Sequence, residues 1–388
     1  MTFLVGTIFV GESVNDMYGG FPVDLLVLLA GVTYLFAIVE KNGTLERVVL
    51  GAARLVKDRR ALIPWMVFVV ASLPAMAGAL GSAGVALLAP LSLRLARRYG
   101  IDRRMIGLMV VHGAASGNFS PLNVLGAIVQ QALARNGLEM SSSALFLANL
   151  AYNVALGAVI FVVFGGLRLT KREADVAERP ADLAERVERP GLGVDQGCTM
   201  LALLAVAVAA LVFGLSIGFV ALGAAAALHL VFPKSSAGAD KKIAWDVVLL
   251  VCGIVTYVAA LQRYGTVEAV GAGIAGLSTP LVTGLLICAV GAVTSAFASS
   301  AGILGAMIPL AVPLMARGDI GTTGLVVALA ISATVVDATP FSTVGALVVA
   351  NAEDEERPLV YRGLLRWGAT MVVTAPPLTW LIFIVSAT

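Results

Sequence analysis

The sequence predicts an all-α polytopic membrane protein of two inverted repeats, each with a re-entrant helical hairpin and a broken transmembrane helix. Three observations carry this. The chain is 59% hydrophobic and 13% charged with a mean hydropathy of +0.95, whereas soluble chains are about a quarter charged. Three blocks recur in order, about 220 residues apart. DLLVLLAGVTYLFAIVEKNGTLE (Asp24 to Glu46) returns as DVVLLVCGIVTYVAALQRYGTVE (Asp246 to Glu268). GSAGVALLAPL (Gly81 to Leu91) returns as SSAGILGAMIPL (Ser299 to Leu310), and SPLNVLGAIV (Ser120 to Val129) as TPFSTVGALV (Thr339 to Val348). Finally, Gly, Ser and Pro interrupt apolar stretches at matching places in both halves, where unbroken helices would otherwise be expected.

Apolar segments long enough to cross a core of roughly 30 Å run over 22–39, 105–132, 145–165, 198–213, 216–232, 245–261, 321–350 and 368–386. The uncharged stretch 198–232 would be roughly 50 Å long as one helix, so it is expected to turn at Gly214-Leu-Ser-Ile-Gly218. The stretches 62–98 and 279–316 are each expected to form a hairpin, with its tip at Gly81-Ser-Ala-Gly84 or Ser299-Ser-Ala-Gly302.

Orientation follows from charge. With hairpins returning to their own side, the loops 40–61, 94–104, 166–197, 233–244 and 351–367 share one face and hold 23 of the 26 Lys and Arg residues. Arg135, Arg263 and Arg317 fall opposite, so the first face is cytoplasmic by the positive-inside rule. Five crossings separate Asp24 from Asp246, an odd number, which makes the repeats inverted. The organisation expected is a first repeat over 1–166, a charged cytoplasmic linker over 167–197 and a second repeat over 198–388. Two helices precede the second repeat but only Met1 to Val10 the first, so the first is expected to lack its opening helix. Met1 to Val10 has neither a basic start nor a cleavage site and does not read as a signal peptide. Gly43 to Arg60 has apolar residues at helical spacing and a basic face, as in a helix lying on the cytoplasmic surface.

Composition also excludes some functions. The 26 basic and 24 acidic residues leave the charge near zero, which gives nucleic acid no footing. Cys198, Cys252 and Cys288 lie in or beside apolar stretches without a CxxC or a nearby His, and read as small packed hydrophobes. No cofactor is expected, and no nucleotide-binding loop is present.

Unwound backbone is tolerated inside a membrane only where it is buried in protein or lines a polar cavity. Four such places occur in pairs: the two hairpin tips, and the helix breaks at His112-Gly-Ala-Ala-Ser-Gly-Asn-Phe-Ser-Pro121 and Asp337-Ala-Thr-Pro340. Pro121 and Pro340 remove backbone donors and free carbonyls. Free carbonyls suit Na⁺, and the N-terminal ends of the half-helices that follow attract anionic groups. The pattern is that of a secondary transporter. Asp337 lies in an otherwise uncharged run from Gly321 to Ala352, where a carboxylate is costly and usually functional; its repeat mate is Asn118. His112 and Ser116, at i and i+4, also allow the reading of a nucleophilic dyad in an intramembrane hydrolase.

At these motifs, chiefly VHGAASGNFSPLNVLGAIV and VVDATPFSTVGALVVANA, the chain resembles the malonate/dicarboxylate carriers (MatC-like) of the ion transporter superfamily, relatives of the divalent anion:sodium symporters. The resemblance implies a homodimeric elevator transporter in the bacterial inner membrane. Its transport domain would be built from about 62–135 and 279–352, and its scaffold from the remaining helices. It also implies a small anionic substrate, most simply a C3–C4 dicarboxylate such as malonate, coupled to Na⁺ or H⁺. The family's Ser-Asn-Thr tips are here Gly81-Ser82-Ala83 and Ser299-Ser300-Ala301. Substrate contacts are therefore expected from Ser82, Asn118, Ser120, Asn123, Ser300, Thr339, Ser342 and Thr343. Cation contacts are expected from Gly81, Ser82, Ser116, Gly117, Asn118, Ser299, Ser300, Asp337 and Ala338. A carrier of another anion (a tricarboxylate, sugar acid or inorganic oxyanion) and a channel are the remaining alternatives.

Overall fold

Helices follow one another through a chain whose apolar runs are too long and too sparsely charged for any other arrangement in lipid. The computed structural model describes residues 13–44, 60–169, 193–266, 279–297, 300–318 and 320–387, with Ile8, Gly11, Arg47 and Ala269 besides. The charged linker and most of the expected surface helix lie outside the described residues, as does Ser299.

The helix order recurs. Helix α1 (Val23–Lys41) is followed by a hairpin, α2 (Ile63–Met76) and α3 (Gly81–Arg98), then by a broken pair, α4 (Arg103–Gly117) and α5 (Val124–Ala134), and then by α6 (Ser142–Val163). Helices α7 (Val194–Leu211) and α8 (Ile217–Val231) intervene. The series then repeats as α9 (Trp245–Arg263), the hairpin α10 (Pro280–Ser295) and α11 (Ser300–Ala316), the pair α12 (Thr322–Val335) and α13 (Thr343–Ala350), and α14 (Arg357–Thr379). Among the described residues, α1, α6, α9, α12 with α13, and α14 with its extension to Ile384 are long and apolar enough to cross a membrane. The hairpin arms have 14 to 18 residues, short of the roughly 20 that a crossing takes. The chain is a multi-pass membrane protein.

Three boundaries differ from the sequence reading. Both hairpins turn earlier than expected. The first turns at 77–80, with Gly78 at φ 117°, so Gly81-Ser-Ala-Gly84 is the first turn of α3 rather than an unwound tip. The second arm of the other hairpin likewise begins at Ser300. Helix α2 carries Pro74 inside it and runs on to Met76, and the Pro74 carbonyl accepts from Ala79 N–H at 2.9 Å, closing the loop. The third difference is α14, which starts at Arg357 and not near 368. Pro358 presets the first turn, and Val360, Gly363, Leu364 and Trp367 are buried at helical spacing while Tyr361, Arg362 and Arg366 stay exposed. The basic residues hid an amphipathic start. The segment before it is tied to α3 and α4 by Arg97 with Glu353 and by Arg103 with Glu356 at 2.8 Å.

Two groups of helices pack separately. Helices α4 and α12 form the middle of a bundle, with α2, α3, α6, α10, α13 and α14 around them. Helices α8 and α9 each pack on α1, and α9 and α11 join the two groups. His229 Nδ1 of α8 meets Tyr34 Oη of α1 at 2.8 Å.

Candidate functional site

Both breaks form because a side chain replaces the helical partner that each end loses. Helix α4 stops at Gly117, and Asn123 caps α5 by accepting from Leu125 N–H at 2.8 Å. Between them Phe119 sits at φ 63°, a left-handed conformation costly for a bulky residue. Helix α12 ends in a tight turn, Val336–Ala338, and Ser342 caps α13 by accepting from Gly345 N–H at 3.0 Å. Gly126 and Gly345 occupy equivalent places in the recurring block. A β-carbon on Gly126 would stand 2.8 Å from the Ser120 carbonyl, and one on Gly345 would overlap the Thr339 carbonyl. Only glycine lets each half-helix fold back onto its own break.

Each break is also pinned to its hairpin. Asn123 Nδ2 donates to the carbonyls of Ala75 (2.7 Å) and Ala79 (3.1 Å), and Ser120 Oγ donates to that of Met76 (2.6 Å). In the second half, Thr339 Oγ1 donates to the Ala296 carbonyl at 2.7 Å. Ser342 Oγ donates to the Asp337 and Thr339 carbonyls.

A cavity of about 430 Å³ opens where the two halves meet. The first halves of its wall are Gly81 and Ser82 at the start of α3, with Ala114, Ala115 and Asn118 from α4. Ser300 and Ala301 of α11, Asp337 in the second break, and Thr343 and Val344 of α13 face them. Asp246, Val247 and Leu250 of α9 complete it. Asp337 accepts from Ser300 Oγ at 2.7 Å, and Ser300 in turn lies 3.0 Å from Ser295 Oγ. Asn118 is 5% exposed, and its Oδ1 is buried without a hydrogen-bond partner.

The charge pattern is specific. Among the described lining residues, Asp246 and Asp337 carry the charge, and none is Lys, Arg or His. Helices α3, α9, α11 and α13 all begin at this cavity, and N-terminal ends carry partial positive charge and unpaired N–H groups. Helices α3 and α9 begin without a side-chain cap. The site therefore pairs anion-attracting backbone with cation-attracting carboxylates.

Of the residues expected from sequence, the structure brings Gly81, Ser82, Asn118, Ser300, Asp337 and Thr343 together. Ser120, Asn123 and Thr339 instead pin breaks to hairpins, and Ser342 ties the second break to itself, all buried. Ser120 and Pro121 line a second cavity of about 310 Å³ on the other side of the break. Ser116 Oγ donates to the Gly113 carbonyl at 2.7 Å, and a β-carbon on Gly117 would lie 2.5 Å from the Ser72 carbonyl. Gly117 is a packing position against α2, and the Ser116 hydroxyl is spent within its own helix. Ala338 and Pro340 are buried in the second break. Free carbonyls are fewer than the prolines suggested, because Asn149 Nδ2 lies 2.8, 3.4 and 3.1 Å from the carbonyls of Ala115, Ser116 and Asn118.

The hydrolase dyad is not formed. His112 Nδ1 faces Asn153 Oδ1 at 3.0 Å and its Nε2 accepts from Trp367 Nε1 at 2.8 Å, so neither ring nitrogen is aimed at Ser116. Three residues escaped the sequence reading. Asp246 served there only as a landmark of the repeat. Asn149 and Asn153 sit four residues apart in an apolar helix, a spacing that signals a shared buried face.

Comparisons with known proteins agree with this architecture. The model for the N-terminus of the dicarboxylate carrier protein MatC matches residues 1–118, and the citrate transporter model matches residues 209–387. Over these two segments the chain is similar to carriers of dicarboxylates and of citrate. Among solved structures, the YdaH transporter of Alcanivorax borkumensis, described as having an unusual topology, aligns over 94% of this chain and 86% of its own. The TM-score is 0.63 at 14% identity, which shows a shared fold. No curated protein matches the chain.

Proposed function

We propose that this protein is a secondary active transporter of a small carboxylate, most simply a C3–C4 dicarboxylate such as malonate, coupled to Na⁺ or H⁺. The observation that carries the reading is the single cavity at which both hairpins and both helix breaks meet, lined by Ser82, Asn118, Ser300, Asp337 and Thr343. Helix N-termini and hydroxyls suit carboxylate oxygens. Two carboxylates on the wall would repel a dianion unless a cation or proton enters with it, which is what coupling requires. The match of residues 209–387 to a citrate transporter favours a tricarboxylate as the second reading.

The moving body in this reading is an elevator formed from 62–135 and 279–352. Helices α6 and α14 would travel with it, since they pack on α4 and α12. Helices α1, α7, α8 and α9 would remain as the scaffold of a dimer in the bacterial inner membrane. Uptake of labelled malonate, succinate and citrate into proteoliposomes, under an imposed Na⁺ gradient and then an imposed pH gradient, tests the proposal. Concentrative uptake of one of them is expected. No uptake of any of the three under either gradient would reject a carboxylate substrate.

A further inference from the structure

Four side chains form a one-way hydrogen-bond chain through the bundle, ending at the first helix break. Its direction is set by chemistry. Trp367 Nε1 can only donate, and it donates to His112 Nε2 at 2.8 Å. The proton of the neutral imidazole is therefore on Nδ1, which donates to Asn153 Oδ1 at 3.0 Å. That leaves Asn153 Nδ2 to donate to the Oδ1 and backbone carbonyl of Asn149, both at 3.0 Å. Asn149 Nδ2 is then turned onto the carbonyls of Ala115, Ser116 and Asn118. His112, Asn149 and Asn153 are all 0% exposed, so water cannot substitute for any of these partners.

We propose that Asn149 is a positioning residue for the ligand cavity: it holds the unwound end of α4 so that Asn118 presents its carboxamide to the site. The statement about ligand rests on the transport reading above; the statement about the break does not. The three carbonyls it binds lie at the end of α4, where the Ala115 carbonyl also accepts from Asn118 N–H at 3.1 Å, and Asn118 is the residue that caps that end. The unpartnered Oδ1 of Asn118 can stay free for a ligand only because its backbone is held by Asn149. Among the described residues the second break has no such amide. There Gly368 of α14 stands against Thr339, where a β-carbon would lie 3.0 Å from Thr339 Cα. Trp367 precedes Gly368, so one turn of α14 touches the second break and, through the chain, fixes the first. The two breaks are held in register by a single helix.

Hydrogen–deuterium exchange on the full-length protein in nanodiscs tests the holding role. Asn149→Ala should raise amide exchange in peptides spanning 113–122 by about ten- to a hundredfold, the cost of leaving buried carbonyls without a donor. Peptides spanning 330–345 should exchange as in the wild type. Unchanged exchange at 113–122, or an equal rise at both breaks, would overturn the proposal, the latter by showing general loosening. If Asn149→Ala does not fold, Asn153→Ala removes the link above Asn149 and should give a smaller rise confined to 113–122; no rise would overturn it. The ligand arm is a double-mutant cycle on the KM for malonate and citrate. If Asn149 acts through Asn118, Asn149→Ala combined with Asn118→Ala has the KM of Asn118→Ala alone, whereas multiplied effects contradict it. Should the wild type carry neither probe, the transport reading fails while the exchange arm still decides the holding role.

Discussion

Replacing Asp337 by Asn removes one negative charge from the cavity wall but keeps the side chain's size and an oxygen to accept from Ser300 Oγ, now 2.7 Å from the carboxylate. The fold should tolerate this. A hydrogen bond to a charged acceptor becomes one to a neutral acceptor, a loss of about 1 kcal/mol. Coupling should not tolerate it. A carboxylate that must meet a cation or proton ties one positive charge to each transport cycle. A tenfold Na⁺ gradient, or one pH unit, is worth about 1.4 kcal/mol per coupled ion, which supports roughly tenfold accumulation of substrate. Asp337→Asn should bring the accumulation ratio in proteoliposomes to about one while passive exchange of labelled substrate persists. Uptake is to be measured under each gradient separately, with thermal stability recorded alongside. Wild-type accumulation by Asp337→Asn under both gradients would refute the reasoning and leave this carboxylate a structural role.

Other outcomes are expected from the same geometry. Ser82→Leu and Ser300→Leu should each abolish uptake without unfolding the protein, because both side chains face the cavity; normal transport by both would remove these helix starts from the site. Gly345→Ala should lower thermal stability by the equivalent of about 1–3 kcal/mol, the usual cost of overpacking, since its β-carbon would overlap the Thr339 carbonyl. Gly253→Ala, which has open space around it, should not; equal melting points would discount the contact. Cysteines at 97 should be labelled by an impermeant maleimide only in inverted vesicles, and cysteines at 135 and 317 only in intact cells, with the reverse pattern contradicting the orientation.

Much of the architecture was legible because duplication prints each signal twice. Ser82 with Ser300, and Asn118 with Asp337, could be paired by alignment of the halves before any distance was known, and both pairs line the cavity. Turn chemistry was less legible. Gly81-Ser-Ala-Gly84 is rich in small residues, and small residues suit the first turn of a close-packed helix as well as they suit a loop. The turn itself is carried by Gly78 at φ 117°. Hydroxyls near Pro121 and Pro340 were read as ligand contacts, but backbone released by a break must be satisfied first, and Ser120, Thr339 and Ser342 are spent on that. Asn149 and Asn153 were hidden by the apolar helix around them. Phe119 carries no sequence mark of its left-handed backbone.

The recurrence of chain path is not a recurrence of charge. Asp24 at the start of α1 pairs with Arg135 beyond α5 at 2.7 Å, beside a 2.8 Å hydrogen bond from Gln262 to Asn136. The equivalent of Asp24 is Asp246, which faces the cavity, and continuing the alignment past the third block sets Asp354 opposite Arg135. One end of the molecule thus has a latch of opposite charges, while the corresponding positions at the other are both acidic. If the proposed elevator operates, its two access states would therefore differ in energy at rest. Because Asp24 and Arg135 are partly exposed, the difference should shrink as salt shortens the Debye length from about 8 Å to about 3 Å. Ionic strength then becomes a handle on which way the resting molecule faces, readable as a salt-dependent change in thiol accessibility of Asp246→Cys, and a salt-independent rate would show that the latch does not set it.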